Sequence, residues 1–167
     1  DTVHLVWFSD RHDLPHYGSN HVGSPPYQPE YDHNYEVFYF QGDRSVSPTS
    51  WPLPTSNPVR LSNDVHLSSM PKIAVGPLNT PFDQYVYVVW EDYRDTADYY
   101  PEIFFNISPD NGVTWMGEQK ITTCTFACYF ASLAVDADGD VHIVYTESMD
   151  ANKSNTVVKY LKWEHTL

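Results

Sequence analysis

Several groups of side chains in this 167-residue chain are of types that do chemistry. Arg11 and Arg94 carry planar guanidinium groups, which grip a carboxylate in a bidentate fork. Each follows a β-type run and has acids beside it, Asp10 and Asp13 in one case, Asp92 and Asp95 in the other. Such an Arg either serves a bound anion or holds its own loop through an ion pair. Tyr17, Tyr27, Tyr31 and Tyr35 accompany the first Arg, and Tyr93, Tyr99 and Tyr100 the second. Flat amphipathic rings suit the apolar faces of sugars while their hydroxyls hydrogen-bond. The same rings can equally pack a loop down, helped by Pro15, Pro25, Pro26 and Pro29.

Half of the eight His, namely His12, His16, His21 and His33, fall in one stretch with Asp13, Glu30 and Asp32. Imidazoles among carboxylates can hold a transition metal, with His12, His16 and His21 as the ligand candidates. Their H-x3-H-x4-H spacing matches no fixed site, so the reading adopted is solvated imidazoles and no metal. Asp136-Ala137-Asp138-Gly139-Asp140 offers oxygens at positions 1, 3 and 5 of a calcium loop. Its Gly comes fourth rather than sixth, and Asp-Gly is a hairpin signal, so a turn is expected. Cys124 and Cys128 have no second pair for a four-ligand zinc site. A local disulfide in an oxidising compartment is the reading taken. Asn152-Lys153-Ser154 is a glycosylation sequon, meaningful in a secreted eukaryotic protein. No cofactor motif is present.

The elements that position these groups follow a period of two. Val3 to Phe8, Val86 to Trp90 and Val141 to Tyr145 are β-branched and aromatic runs bounded by turn residues. Thirteen Pro and seven Gly punctuate strand-length segments, and no amphipathic helical stripe survives between them. The chain reads as all-β. Four strand types recur in a fixed order. The A type is Lys72–Val75 and Ser132–Val135, and the B type is the trio above. The C type is Glu36–Phe40, Glu102–Phe105 and Val157–Tyr160, and the D type is Val59–Ser62 and Lys120–Thr122.

The order B-C-D, A-B-C-D, A-B-C divides one segment, 1–167, into a partial unit 1–62, a complete unit 71–123 and a partial unit 131–167. Four-stranded antiparallel units of about 40 to 60 residues are the arithmetic of propeller blades, and a ring needs about 4 to 8 of them. Two and a half blades cannot close alone. The expectation is a segment of a larger, six-bladed ring, or closure by another chain. A ten-strand sandwich is the rival.

After the second C strand stands Ser108-Pro109-Asp110-Asn111-Gly112-Val113-Thr114-Trp115. This S-x-D-x-G-x-T-W string resembles, at all five specified positions, the Asp-box (BNR repeat) of sialidase-like β-propellers. Val88-Val89-Trp90-Glu91-Asp92 before it and Ala134-Val135-Asp136 after it also resemble BNR-repeat proteins commonly labelled exo-sialidase. The first repeat is degenerate, Gly42-Asp43-Arg44 through Ser50-Trp51, with only its closing Trp well placed. The resemblance implies a structural box. Ser108 and Asp110 accept backbone N–H groups, Gly112 supplies positive φ, and Trp115 buries its ring between neighbours.

In such meanders the box lies at the C–D end, and the B–C and D–A connections share the opposite, first face. In sialidase-like propellers that face holds the sugar site. Three Arg for the substrate carboxylate, a Tyr–Glu nucleophile pair and an Asp acid/base are what the resemblance implies for a hydrolase. Only Arg11 and Arg94 fall on the first-face loops, Arg44 and Arg60 do not, and there is no R-I-P string. No complete catalytic set is therefore assigned, and the enzyme question stays open. Glu91, Asp92 and Glu147 are the nearby carboxylates to test. With Arg11, Arg94, Tyr99 and Tyr100 they are the ligand-binding candidates.

Twenty-two acids against nine Lys and Arg give a formal charge of −13. No basic stripe is available for nucleic acid or an anionic membrane surface. The longest apolar run, Tyr85 to Trp90, is far short of a span, so membrane insertion is not expected. From Asp1 there is no basic or apolar leader, which suggests a processed product or an excised piece. The expected function is an extracellular or cell-surface carbohydrate-binding module recognising glycans or a surface through its first face. The alternatives are part of an exo-sialidase or other glycosidase, and a structural protein self-associating through incomplete terminal blades.

Overall fold

A computed structural model of the chain describes residues 2–9, 35–43, 58–64, 66–94 and 100–165. Arg11, His12, His16, His21 and Tyr99 lie outside these residues, as does most of the degenerate first box. The described residues hold ten strands and no helix, so the fold is all-β. They are β1 (Thr2–Ser9), β2 (Glu36–Asp43), β3 (Val59–Arg60), β4 (Ser68–Val75), β5 (Val86–Asp92), β6 (Glu102–Ser108), β7 (Gln119–Lys120), β8 (Cys128–Val135), β9 (Val141–Ser148) and β10 (Thr156–Trp163). They form three antiparallel sheets, β1-β2-β3, β4-β5-β6-β7 and β8-β9-β10, each a meander in chain order.

The middle sheet is covered on both faces, and every residue of β5 and β6 is buried. This explains why their sequences are nearly continuous apolar runs rather than alternating ones. One core fills the gap to the first sheet, with Val86, Val88, Trp90 and Phe104 facing Val37, Tyr39 and Leu61. A second fills the gap to the third sheet, where Tyr87, Val89, Ile103, Phe105 and Ile107 face Cys128, Ala131, Val141 and Ile143. Contacts between sheets gather on the leading strands. β4 lies against β1 on one side and β8 on the other, and β5 also touches β8.

The repeat extends to side chains. Glu36 and Glu102 each open the third strand type of their sheet and are buried. The Glu36 carboxylate takes the Ser62 hydroxyl and the Asp64 N–H (3.0 Å), and the Ser62 Oγ accepts the Val37 N–H (2.8 Å). The Glu102 carboxylate takes the Thr122 hydroxyl and the Cys124 N–H (2.8 Å), and the Thr122 Oγ1 accepts the Ile103 N–H (2.9 Å). Each latch ties the residues after a two-residue fourth strand back to the sheet where ladder bonds have run out.

The short strands β3 and β7 end before the expected Ser62 and Thr122, where the Val37 and Ile103 N–H groups bond to the side-chain hydroxyls instead of to a backbone carbonyl. The leading strands start earlier than expected. β4 and β8 each carry a register shift, between Ser69 and Lys72 and between Tyr129 and Ser132. At each shift one residue, Met70 (φ 52°) or Phe130 (φ 56°), adopts left-handed backbone and points outward. Such bulges bend the strand and re-aim a side chain.

Candidate functional site

The box turn between β6 and β7 is built as its residue types demand. Ser108 Oγ accepts the Gly112 N–H at 2.7 Å, and Asp110 Oδ1 accepts the Thr114 N–H at 2.7 Å. Asp110 Oδ2 takes the Thr114 hydroxyl at 2.6 Å. These donors hold the Asp110 carboxyl below its ordinary pKa, the Thr114 hydroxyl foremost. Gly112 has φ +89°, and a Cβ there would lie 2.0 Å from the Tyr39 hydroxyl oxygen. Trp115 meets the Tyr39 ring edge-on, 4.9 Å between centroids. The box thus seats the middle sheet on the first one, and all five of its residues are spent on that contact or on the turn itself.

A second turn repeats the bonds of the box Asp, although its Ser148 hydroxyl donates to the Asp150 carbonyl at 2.7 Å. Ser148-x-Asp150-x-Asn152-x-Ser154, between β9 and β10, reproduces the box spacing without the Gly or the Trp. Asp150 Oδ1 accepts the Ser154 N–H at 3.1 Å and Oδ2 the Ser154 hydroxyl at 2.9 Å. Asn152 N–H and Asn155 N–H complete the set, so this carboxyl too is held below its ordinary pKa. This turn joins a second to a third strand, so it lies at the end of its sheet opposite to the box. Sequence reading passed over it, although the Ser-Asp-Ser spacing was visible. The expected hairpin at Asp136 also forms. Asp136 Oδ1 accepts the Asp138 and Asp140 N–H groups at 2.9 and 3.0 Å.

At the first-face end of β5, adjacent acids point into different gaps. Asp92 is fully buried towards the first sheet. It receives Trp90 Nε1 (2.9 Å), the Ser68 hydroxyl (3.0 Å) and the Arg94 fork, Nε at 2.8 Å and Nη2 at 2.7 Å. The Arg94 guanidinium also pairs with Asp64 at 3.0 Å and with Glu118, and lies over the Phe104 ring, 4.5 Å from its centroid. Burial lowers the Arg94 pKa, but the Asp92 hydrogen bond and the three carboxylates outweigh it and raise it. Glu118 and Asp64 sit above ordinary carboxyl values because burial exceeds what the shared cation returns. Arg94 is thus engaged in a network that pins its own loop. Arg60, expected on a D-type strand and not on a first-face loop, stands on β3 and pairs with Glu36.

Glu91 faces the other gap. Its carboxylate accepts the Phe130 N–H at 2.8 Å, and so holds the β8 bulge. Burial raises its pKa, against smaller opposing effects from the Phe130 N–H, Lys72, Lys153 and the Tyr93 hydroxyl. Above it the bulge presents Phe130, 68% exposed, edge-on to Tyr129 at 4.8 Å. Lys153, from the Asp150 turn, reaches over the Tyr129 ring at 5.8 Å. Glu147 pairs with Lys159 at 3.2 Å, and the Tyr100 ring meets Phe126 at 5.9 Å. Cys124 and Cys128 form a disulfide at the same end, beside Glu102.

Of the seven ligand candidates, the structure therefore describes Glu91, Asp92, Arg94, Tyr100 and Glu147. The three acids stand on strands rather than on loops. Tyr129, Phe130, Lys72 and Lys153 were missed, because a bulge that turns one residue outward leaves no mark on hydropathy. No protein-family model matches the chain, and no curated protein or solved structure matches it either.

Proposed function

We propose that the chain is a segment of a sialidase-like Asp-box β-propeller that binds glycans or a glycosylated surface through its first face, without turnover. Three observations support the propeller. The units recur with one register, the box of the middle sheet seats on the first sheet, and the packing between sheets gathers on the leading strands, as in blades fanned about an axis.

The binding role rests on one observation above the others, the exposed Phe130 ring, edge-on to the half-buried Tyr129 and held out by the Glu91-anchored bulge. An aromatic shelf offers its face to sugar C–H groups, and Lys72, Lys153 and Tyr93 supply polar partners around it. Phe130 is the contact residue in this reading, and Glu91 a positioning residue. The hydrolase alternative needs a guanidinium free for a substrate carboxylate, whereas Arg94 already serves three. The disulfide supports an oxidising, extracellular or cell-surface setting.

A glycan array followed by titration calorimetry tests the proposal. Phe130→Ala should weaken binding of the best ligand at least tenfold while leaving the melting temperature unchanged. Release of fluorophore from a sialoside by the wild-type protein would instead establish the hydrolase.

A further inference from the structure

The Glu102 latch carries something that its counterpart at Glu36 lacks. Where the first sheet has Asp64 the middle sheet has Cys124, and four residues on Cys128 returns to it, with the Cα atoms 6.1 Å apart. The two sulfurs and the Glu102 carboxylate lie within 4.8 Å of one another. Glu102 and Cys128 are buried, whereas Cys124 is half-buried and gives the cluster an approach from solvent. The Glu36 latch makes its bonds with no sulfur beside it, since these are the only two Cys of the chain. The latch itself therefore needs no sulfur.

Two thiolates and a carboxylate are the donors of a borderline-soft divalent ion, and zinc takes such a set in tetrahedral geometry. Zn–S bonds of about 2.3 Å put two thiolates about 3.8 Å apart on one ion, so the sulfurs must part before they can bind it. Side-chain rotation provides that separation across Cα atoms 6.1 Å apart. The backbone is pinned independently of the disulfide, because the Cys124 N–H donates to Glu102 and the Cys128 N–H to the Pro101 carbonyl, each at 2.8 Å. One Glu102 oxygen accepts the Cys124 N–H and the other the Thr122 hydroxyl. A carboxylate oxygen has two lone-pair sites, so each keeps one for a metal while its hydrogen bond fixes its direction. Glu147, across the ladder from Cys128, is spent on Lys159, which leaves a fourth position to water.

We propose that Cys124, Cys128 and Glu102 form a redox-gated zinc site, closed by the disulfide and opened by its reduction, with one exchangeable position on the ion. A dithiol reductant supplies the two electrons. Its thiolate attacks the accessible Cys124 Sγ, and the Cys128 Sγ leaves as a thiolate. The second thiol of the reductant then displaces Cys124, and the reductant departs as its own disulfide. Zinc takes both protein sulfurs as thiolates, and their two protons pass to solvent.

Cobalt(II) is the probe, added without air to the 167-residue protein after a dithiol reductant has acted and been removed. One ion should bind per chain, with thiolate-to-cobalt absorption in the near ultraviolet and the visible bands of a tetrahedral ion, and zinc should displace it. The oxidised protein should show none of this. Zinc should also raise the melting temperature of the reduced protein. Cys124→Ser and Cys128→Ser should each abolish tight uptake. Glu102→Gln should keep the charge-transfer absorption and weaken binding by at least about tenfold. Glu102 also serves the latch, so X-ray absorption on the zinc-loaded wild type supplies a reading that needs no variant, two sulfurs at about 2.3 Å and oxygen in the remaining shell. Reduced protein without thiolate-to-cobalt absorption overturns the proposal. So does a Glu102→Gln variant of unchanged circular dichroism that binds cobalt as tightly as wild type, or a shell of four sulfurs, in which two chains share the ion.

Discussion

The Tyr39 hydroxyl donates to the Asn111 carbonyl at 3.2 Å, joining a strand of the first sheet to the box turn of the middle sheet across 72 residues. Gly112 lies against that hydroxyl with φ +89°. A left-handed residue with a Cβ costs about 1–2 kcal/mol, and overpacking a filled site about 1–3 kcal/mol more. Gly112→Ala should therefore destabilise the protein by about 2–5 kcal/mol in urea unfolding. Gly117, φ +104°, has nothing within 4 Å of its Cβ position. Its Ala variant should show the backbone part alone, and equal losses at the two sites would remove Tyr39 from the account.

Arg94 is shared by Asp92, Asp64 and Glu118. Removing one partner of a buried ion pair leaves uncompensated charge, at about 3–5 kcal/mol. Arg94→Ala should fall in that range, and Arg94→Lys should recover only part of it, because an ammonium cannot make the fork to Asp92. Thermal unfolding of the two variants measures this. A mild Arg94→Ala would mean that the acids find water or protonate without cost.

Glu91 titrates above its ordinary pKa of 4.5 because it is buried. The folded state then binds the proton more tightly than the unfolded chain, so stability from this group is present at low pH and lost as pH rises through the raised value. Glu91→Gln keeps an oxygen for the Phe130 N–H and removes the charge. The variant should match wild type near pH 4 and gain on it progressively towards neutrality, as read from urea midpoints across pH. A difference that does not change with pH would exclude the buried charge as its source.

Cys124 and Cys128 close a loop of four-residue separation. Chain entropy assigns so short a loop only about 2 kcal/mol. Reduction should lower the melting temperature by several degrees without abolishing the fold, since the Cys124 N–H keeps its bond to Glu102. Free thiols should appear to a thiol reagent only after reductant is added. Thiols reactive from the start would show that the pair is open in solution.

Much of the fold was legible. Strand types, their order and the grouping into three units follow from period-two runs such as Val86–Trp90 and from turn residues between them, and the structure pairs them that way. The box was legible down to its bonds, because its spacing fixes a local hydrogen-bonding pattern. The site was legible only in part. Arg94 was visible, but its engagement with Glu118 and Asp64 depends on residues 24 and 30 positions away. The Glu36 and Glu102 latches were readable from the repeat, once Ser62 and Thr122 are placed beside them.

What the sequence determined by itself is local: alternation along strands, left-handed turn positions, and acids whose N–H partners lie within five residues, as at Asp110 and Asp150. Tertiary structure decided which of two adjacent acids meets a guanidinium and which a bulge. Asp92 and Glu91 point into opposite gaps of the middle sheet, and only the neighbouring sheets supply Asp64 on one side and Phe130 on the other. Side-chain alternation along a strand is intrinsic, whereas the identity of what lies across a gap is set by packing between distant segments.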